Sequence, residues 1–202
     1  YIQINVRLFS TFIRAPRIDQ LWLQFSPTPL ARDVVAEIWP IEVESFRPAP
    51  FTYVIRPEFE STHLGFDRLE ILTHSRVEAV SSVVVDGNPV DLQAFPPDIQ
   101  DDRIIVPFPE LRGEEDSFKQ IEVAFEVPVL RYGTEFRGWV FNSQLEDQVR
   151  QQVGAGNATF RFSGNVLAVS TPLQGDLLVD LEASSTVITP NGDGINDDLV
   201  LS

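Results

Sequence analysis

The chain has 202 residues, 43% of them hydrophobic, which suits one large or two small globular domains and excludes disorder as the main state. A formal charge of −15 repels phosphate backbones and anionic lipid, so nucleic acid and membrane surfaces are poor partners and cations the natural small ones. The lack of cysteine excludes disulfides, thiolate metal sites and a cysteine nucleophile, and no apolar run reaches the roughly 18 residues of a membrane-spanning helix.

Alternation of apolar and polar residues runs from one end to the other. Ile2, Ile4, Val6 and Leu8 alternate with Gln3, Asn5 and Arg7 and predict a strand with one wet face. Further strands are expected at Leu21 to Phe25, Val34 to Trp39, Phe51 to Ile55, Arg68 to Leu72 and Val77 to Val85. Arg103 to Phe108, Gln120 to Val127, Glu135 to Phe141, Ala158 to Phe162, Val166 to Ser170 and Leu177 to Leu181 follow. This spacing, with fifteen Pro and eleven Gly, predicts an all-β antiparallel sandwich of jelly-roll or Ig-like type, as one module or two packed together. Helix should be scarce, with Ser143 to Val153 the one stretch carrying a Ser cap and apolar residues at i, i+4 and i+8. Asp86-Gly87 in "VDGNPV" predicts a hairpin turn. The Pro-rich "FRPAP", Phe46 to Pro50, reads as a loop and the best internal boundary. The expected organisation is 1–48 as N-terminal strands or a partial module, 49–175 as the sandwich, and 176–202 as a linker with the first strand of a further module.

"GFDRLEILTHSRVEAVSSVVVDG", Gly65 to Gly87, resembles the part of cohesin-like modules where a Gly-Phe-Asp strand leads into a Val-rich strand, and "QIEVAFEVPVLRYGTEF", Gln120 to Phe136, resembles a later strand of the same jelly roll. That resemblance implies a protein-binding or scaffold module and no catalysis. "ITPNGDGINDDLVLS", Ile188 to Ser202, resembles the opening of Ig-like modules near the C-termini of secreted bacterial proteins, including type IX sorting domains and the Ig-like part of flagellar hook-capping proteins. It implies that Asp198 to Ser202 is a first strand and that the chain is part of a longer protein. Tyr1 in place of Met likewise leads us to expect a processed or truncated N-terminus.

Within this closing stretch, Asn191, Asp193, Asn196 and Asp197 invite a calcium reading. An EF-hand register fails, because Val200 stands where a bidentate acid is needed. Two readings stay open: a tight hinge in which Asx side chains bond their own backbone, or a turn stiffened by calcium through Asp193, Asp197 and neighbouring carbonyls.

The other constellations read as structural. His63 and His74 have no metal-ligand spacing and are expected on the surface or in loops. The acidic clusters "DIQDD" and "RGEEDS" sit in polar loops and are expected to be solvated turns rather than glycosidase carboxylate pairs. Trp39 and Trp139 alternate with apolar neighbours as core residues do, whereas Trp22 falls on the face opposite Leu21, Leu23 and Phe25. The reading is a non-enzymatic structural, adhesive or assembly module of a secreted bacterial surface protein, whose partners are other modules or copies of itself at strand edges. The alternative is a carbohydrate-binding accessory module using Trp22.

Overall fold

The computed structural model describes residues 6–9, 16–22, 28–130, 132–145 and 149–172. Its strands in chain order are β1 (Asp33–Trp39), β2 (Pro48–Glu58), β3 (Phe66–Leu72), β4 (Ala79–Val85), β5 (Asn88–Pro89), β6 (Asp98–Ile99) and β7 (Arg103–Leu111). They continue as β8 (Ile121–Pro128), β9 (Gly133–Glu135), β10 (Gly138–Phe141), β11 (Arg150–Gln152), β12 (Gly154–Ala155) and β13 (Ala168–Ser170). One sheet runs β12-β1-β2-β8-β4-β5 and the other β11-β10-β3-β7-β6; a small third sheet pairs β13 with β9. Neighbouring strands are antiparallel throughout except β1 with β12. The all-β sandwich read from the sequence is therefore the observed fold. β1, upstream of the expected boundary, is an interior strand paired with β2 along its whole length.

Period-two patterning explains the core. Ala36, Ile38, Phe51, Tyr53, Ile55, Val123 and Phe125 point inward from the first sheet, and Leu69, Ile71, Ile104, Val106 and Val140 from the second, forming one buried cluster. Asp86 and Gly87 both take positive φ, 49° and 78°, closing the β4–β5 hairpin in the type I′ manner that the Asp-Gly pair predicts.

Several local expectations are corrected. The described residues of Ser143 to Val153 form no helix: the Ser143 amide and hydroxyl both donate to the Asp67 carboxylate, at 2.8 and 2.5 Å, and Arg150–Gln152 pairs with β10. The Gln151 amide binds the Leu30 and Ala31 backbone, a tertiary demand that outweighs the local helical pattern. "FRPAP" is only partly a loop, since Pro48 to Pro50 begin β2 opposite Pro128 to Glu126. Glu135 to Phe141 is two strands, because the chain changes sheets at Phe136 and Arg137. Ala158 to Phe162 forms no strand, and neither do residues 6–9 or 21–22. The rest of the first two predicted strands, and Leu177 to Leu181, lie outside the described residues.

Tyr53 shows how closely the sheets fit. Its hydroxyl crosses the core to the inward position of Gly138, where an added Cβ would lie 2.7 Å from it and 2.8 Å from Val153 Cγ2. That hydroxyl is buried and has no partner among the described residues. Burial raises the phenol pKa, and the charge of Glu135 adds to the shift. Tyr53→Phe should therefore leave stability unchanged or raise it by up to about 1 kcal/mol, while Gly138→Ala should cost about 1–3 kcal/mol through overpacking. The Gly138→Ala penalty should shrink in the Tyr53→Phe background. Urea melts of wild type, both single variants and the double variant measure this, and equal penalties in both backgrounds would contradict it.

Candidate interaction surface

The outer face of the six-stranded sheet is half covered and half open. On its covered half the backbone from Gly156 to Val166 runs as a strap across β1 and β2. Gly156 donates to Ala36 O at 2.9 Å, and Ile38 donates to Val166 O at 3.0 Å. Small residues let the strap lie close, since a Cβ on Gly156 would stand 3.1 Å from Val35 Cγ1. Under it lies Glu37, an outward residue of β1 that is completely buried. Its Oε1 accepts from the Ala158 and Thr159 amides at 3.0 and 2.6 Å, and its Oε2 has no partner among the described residues. Arg161 then pairs with Glu122 of β8 and lies 5.5 Å from the centre of the Phe162 ring.

Phe162 in turn stacks on Trp39, with centroids 5.7 Å apart and planes 9° apart. Contrary to the core reading, Trp39 is 43% exposed, because it ends β1 on the outward side opposite Thr52. Beyond it the sheet is open. Trp39, Pro40, Pro50, Thr52, Ala124 and Ser81 line a groove of about 600 Å³ whose small-residue floor and aromatic wall are mainly apolar. The Trp39 and Phe162 rings should show a coupling of about 1 kcal/mol in a double-mutant cycle measured by urea denaturation. Additive single-variant costs would show that the stack does not hold the strap.

The outer face of the five-stranded sheet is polar and closed on itself. Glu70, buried at its centre, receives Arg103 at 2.8 Å on one oxygen and Arg150 on the other. Arg103 also grips Asp102 through two bonds of 2.9 and 3.0 Å, which hold the Asp102 carboxyl below its ordinary pKa. Arg150 lies 5.2 Å from the centre of the Phe141 ring, and Trp139 is partly buried opposite Glu70. Asp67 and Glu70 are thus paired and buried.

The remaining candidates are dispersed. His63 lies in a loop, as expected, but is buried there, and its Nδ1 accepts the Glu60 amide at 2.7 Å in a closed turn. His74 is exposed at positive φ, with Nε2 3.1 Å from Glu135 O. The "RGEEDS" acids form a 3-10 turn, Glu114–Asp116, in which Asp116 pairs with Lys119 at 2.5 Å. Trp22 is 85% exposed, with its indole donating to Gln20 at 3.3 Å. Asn191, Asp193, Asn196 and Asp197 lie outside the described residues. Among the described residues no group of three or more acidic or histidine side chains is arranged to hold a metal ion. Likewise among them, no helix is long and apolar enough to cross a membrane. Sequence reasoning missed Glu37 and the strap. No local signal marked them, since Glu37 alternates as a solvated residue would and the strap lies about 120 positions downstream.

No family model matches the chain, and no curated protein matches it in sequence. Among solved structures it is similar to the N-terminal domain of the Streptococcus gordonii adhesin Sgo0707, with 7% identity over 72% of this chain and 34% of that one and a TM-score of 0.46. It is also similar to BcpA, the major pilin subunit of Bacillus cereus, with 11% identity over 59% of this chain and 37% of that one and a TM-score of 0.37. A variant of that pilin gives 11% identity, 68% and 39% coverage and a TM-score of 0.40. The chain thus covers 34% to 39% of the length of these adhesin and pilin structures.

Proposed function

We propose that the chain is a non-enzymatic structural, adhesive or assembly module of a larger bacterial surface protein, working outside the cell. The observation that carries this reading is the open apolar groove beside Trp39 on the outer face of the six-stranded sheet. A groove with an aromatic wall and small-residue floor offers contact area to a partner surface, and a rigid sheet holds it without an ordering cost on binding. The closing T-P-N-G-D-G-x-N-D stretch supports secretion through its resemblance to Ig-like modules of exported proteins.

Protease treatment of intact source cells, followed by immunodetection of the chain, tests its location. Loss of signal without lysis supports the reading, and a signal confined to the soluble interior overturns it. Trp39→Ala should weaken adhesion or assembly while the fold persists. Hydrolysis of esters, peptides or glycosides that vanishes on changing one carboxylate or histidine would refute the non-enzymatic part.

Calcium at Asn191, Asp193, Asn196 and Asp197 is proposed on the sequence alone. Melting with calcium and with chelator, in wild type and Asp193→Ala, separates the two readings of the turn. A calcium-dependent rise lost in the variant assigns the ion, since a ligand of the folded state stabilises by mass action. Equal midpoints leave a bare hinge.

A further inference from the structure

A cleft of about 440 Å³ opens between the margins of the two sheets, apart from the groove beside Trp39. Val85, Pro89 and Val90 wall it on the β4–β5 side, Pro109 and Leu111 on the β7 side, and Phe95 comes from the loop that carries the chain from β5 to β6. Its walls are mainly apolar, yet Asp86, Asp91 and Glu110 line it too. Asp91 Oδ1 accepts the Gln93 amide at 2.9 Å and Glu110 Oε1 accepts the Asn142 side-chain amide at 2.9 Å. Those bonds fix both carboxylates and leave Asp91 Oδ2 and Glu110 Oε2 without a hydrogen bond among the described residues.

Lys119, the only lysine of the chain, already seats an ammonium in this cleft, 2.5 Å from Asp116. Its bond to Asp116 raises the Lys119 pKa above the ordinary lysine value; burial opposes that shift, and the charges of Asp116, Asp86 and Glu115 add to it. The surroundings thus favour a cation, and Lys119 neutralises only Asp116: among the described residues Asp86, Asp91 and Glu110 form no ion pair. A second cation entering the cleft meets three carboxylates, an apolar lining for its stem and an aromatic ring at Phe95. Arginine suits that set better than lysine, because its planar guanidinium stacks on a ring while donating to several oxygens. Both sheets also end here in two-residue strands, β5 and β6, with no strand beyond either among the described residues. Main-chain groups at those edges are available to an extended segment and useless to a free amine.

We propose that this cleft takes an arginine side chain presented by an extended segment of a protein partner. The apolar walls hold the methylene stem, Phe95 lies against the guanidinium, and the carboxylates of Asp86, Asp91 and Glu110 receive its N–H groups. The site is independent of the groove beside Trp39, and either can fail without the other.

NMR titration of the isotope-labelled full chain with acetyl-Val-Arg-Val-amide tests it, with the citrulline twin of that peptide and butylguanidine as comparison ligands. The expected result is amide shifts confined to residues 85–95 and 109–119, with the citrulline peptide, which keeps the shape and loses the charge, binding about tenfold more weakly or worse. Butylguanidine, which lacks a main chain, should also bind more weakly than the arginine peptide. Asp86→Asn with Asp91→Asn and Glu110→Gln keeps the turn and both hydrogen bonds while removing three charges, and should weaken the arginine peptide by about tenfold or more. Glu42→Gln with Glu44→Gln and Glu78→Gln removes the same charge at the opposite end of the first sheet and should change affinity by less than about twofold, the effect of the general field alone. The spectrum of each variant reports its folding directly. No shifts at the cleft, equal binding of the citrulline peptide, or equal losses in the two triple variants would each overturn the proposal. Butylguanidine binding as tightly as the peptide would overturn it too, since the cleft would then serve a small free cation.

Discussion

Phe136→Ala is expected to lower the unfolding free energy by about 3–5 kcal/mol, the range for deleting a fully buried aromatic ring. The ring is 1% exposed and packs on Phe51 and Phe125 with centroid separations of 5.3 and 6.1 Å. Phe51 and Phe125 face each other across β2 and β8 of one sheet, whereas Phe136 lies where the chain passes from β9 to β10. It therefore joins two layers, and its loss leaves a cavity that neither sheet can close without moving. Domains of this size have total stabilities of about 5–15 kcal/mol, so the variant should retain only a small margin. Urea denaturation should show a lower midpoint with an unchanged slope. A loss below about 1.5 kcal/mol, the range of a volume-conserving swap, would show that the site collapses around the gap.

Glu37→Ala should cost about 3 kcal/mol, because it orphans two buried backbone donors at once, each worth about 1–3 kcal/mol when left unpaired. The donors are the Ala158 and Thr159 amides, both of which point at Oε1. The strap from Gly156 to Val166 should then lift from β1 and β2 and take Phe162 off Trp39. Glu37→Gln keeps the accepting oxygen and removes a buried charge, so it should cost far less than the alanine variant. Hydrogen exchange separates this from general destabilisation: amides 156–162 should lose protection in Glu37→Ala well before those of β3 and β7. Uniform loss across the molecule would place Glu37 in the global core rather than under a local strap.

The strands of the two sheets were legible wherever alternation was strict. Val34 to Trp39, Arg68 to Leu72 and Arg103 to Phe108 lie within observed strands, and all of Gln120 to Val127 but its first residue lies in β8, because one face of each is buried and period two records that burial. The Asp86-Gly87 hairpin was equally plain, since few residue pairs accept two positive φ values in a row. Ser143 to Val153 misled for an identifiable reason: its Ser cap and i, i+4 spacing are local, while the partners that claim it, Asp67 and the Leu30 backbone, are distant in the chain. The covered half of the outer sheet face was also illegible. Glu37 alternates as a solvated residue would, and nothing nearby in the chain announces that residues 158 and 159 come to lie over it.

The sequence by itself determined the class of fold and the positions of most of its strands, because β-structure is written in local alternation and turn chemistry. It determined too that cysteine chemistry has no place here, since no cysteine is present. Which outward residues are in fact inside was decided only in three dimensions. Glu37 is covered by a strap about 120 positions downstream, Glu70 is clasped by arginines from β7 and β11, and Tyr53 finds its space at a glycine on the opposite sheet. Trp39 is the converse case, apolar in pattern yet left at the rim of an open groove. The reason is that alternation reports which side of its own sheet a residue faces, while burial depends on what packs against that side, and contacts between distant segments leave no local trace.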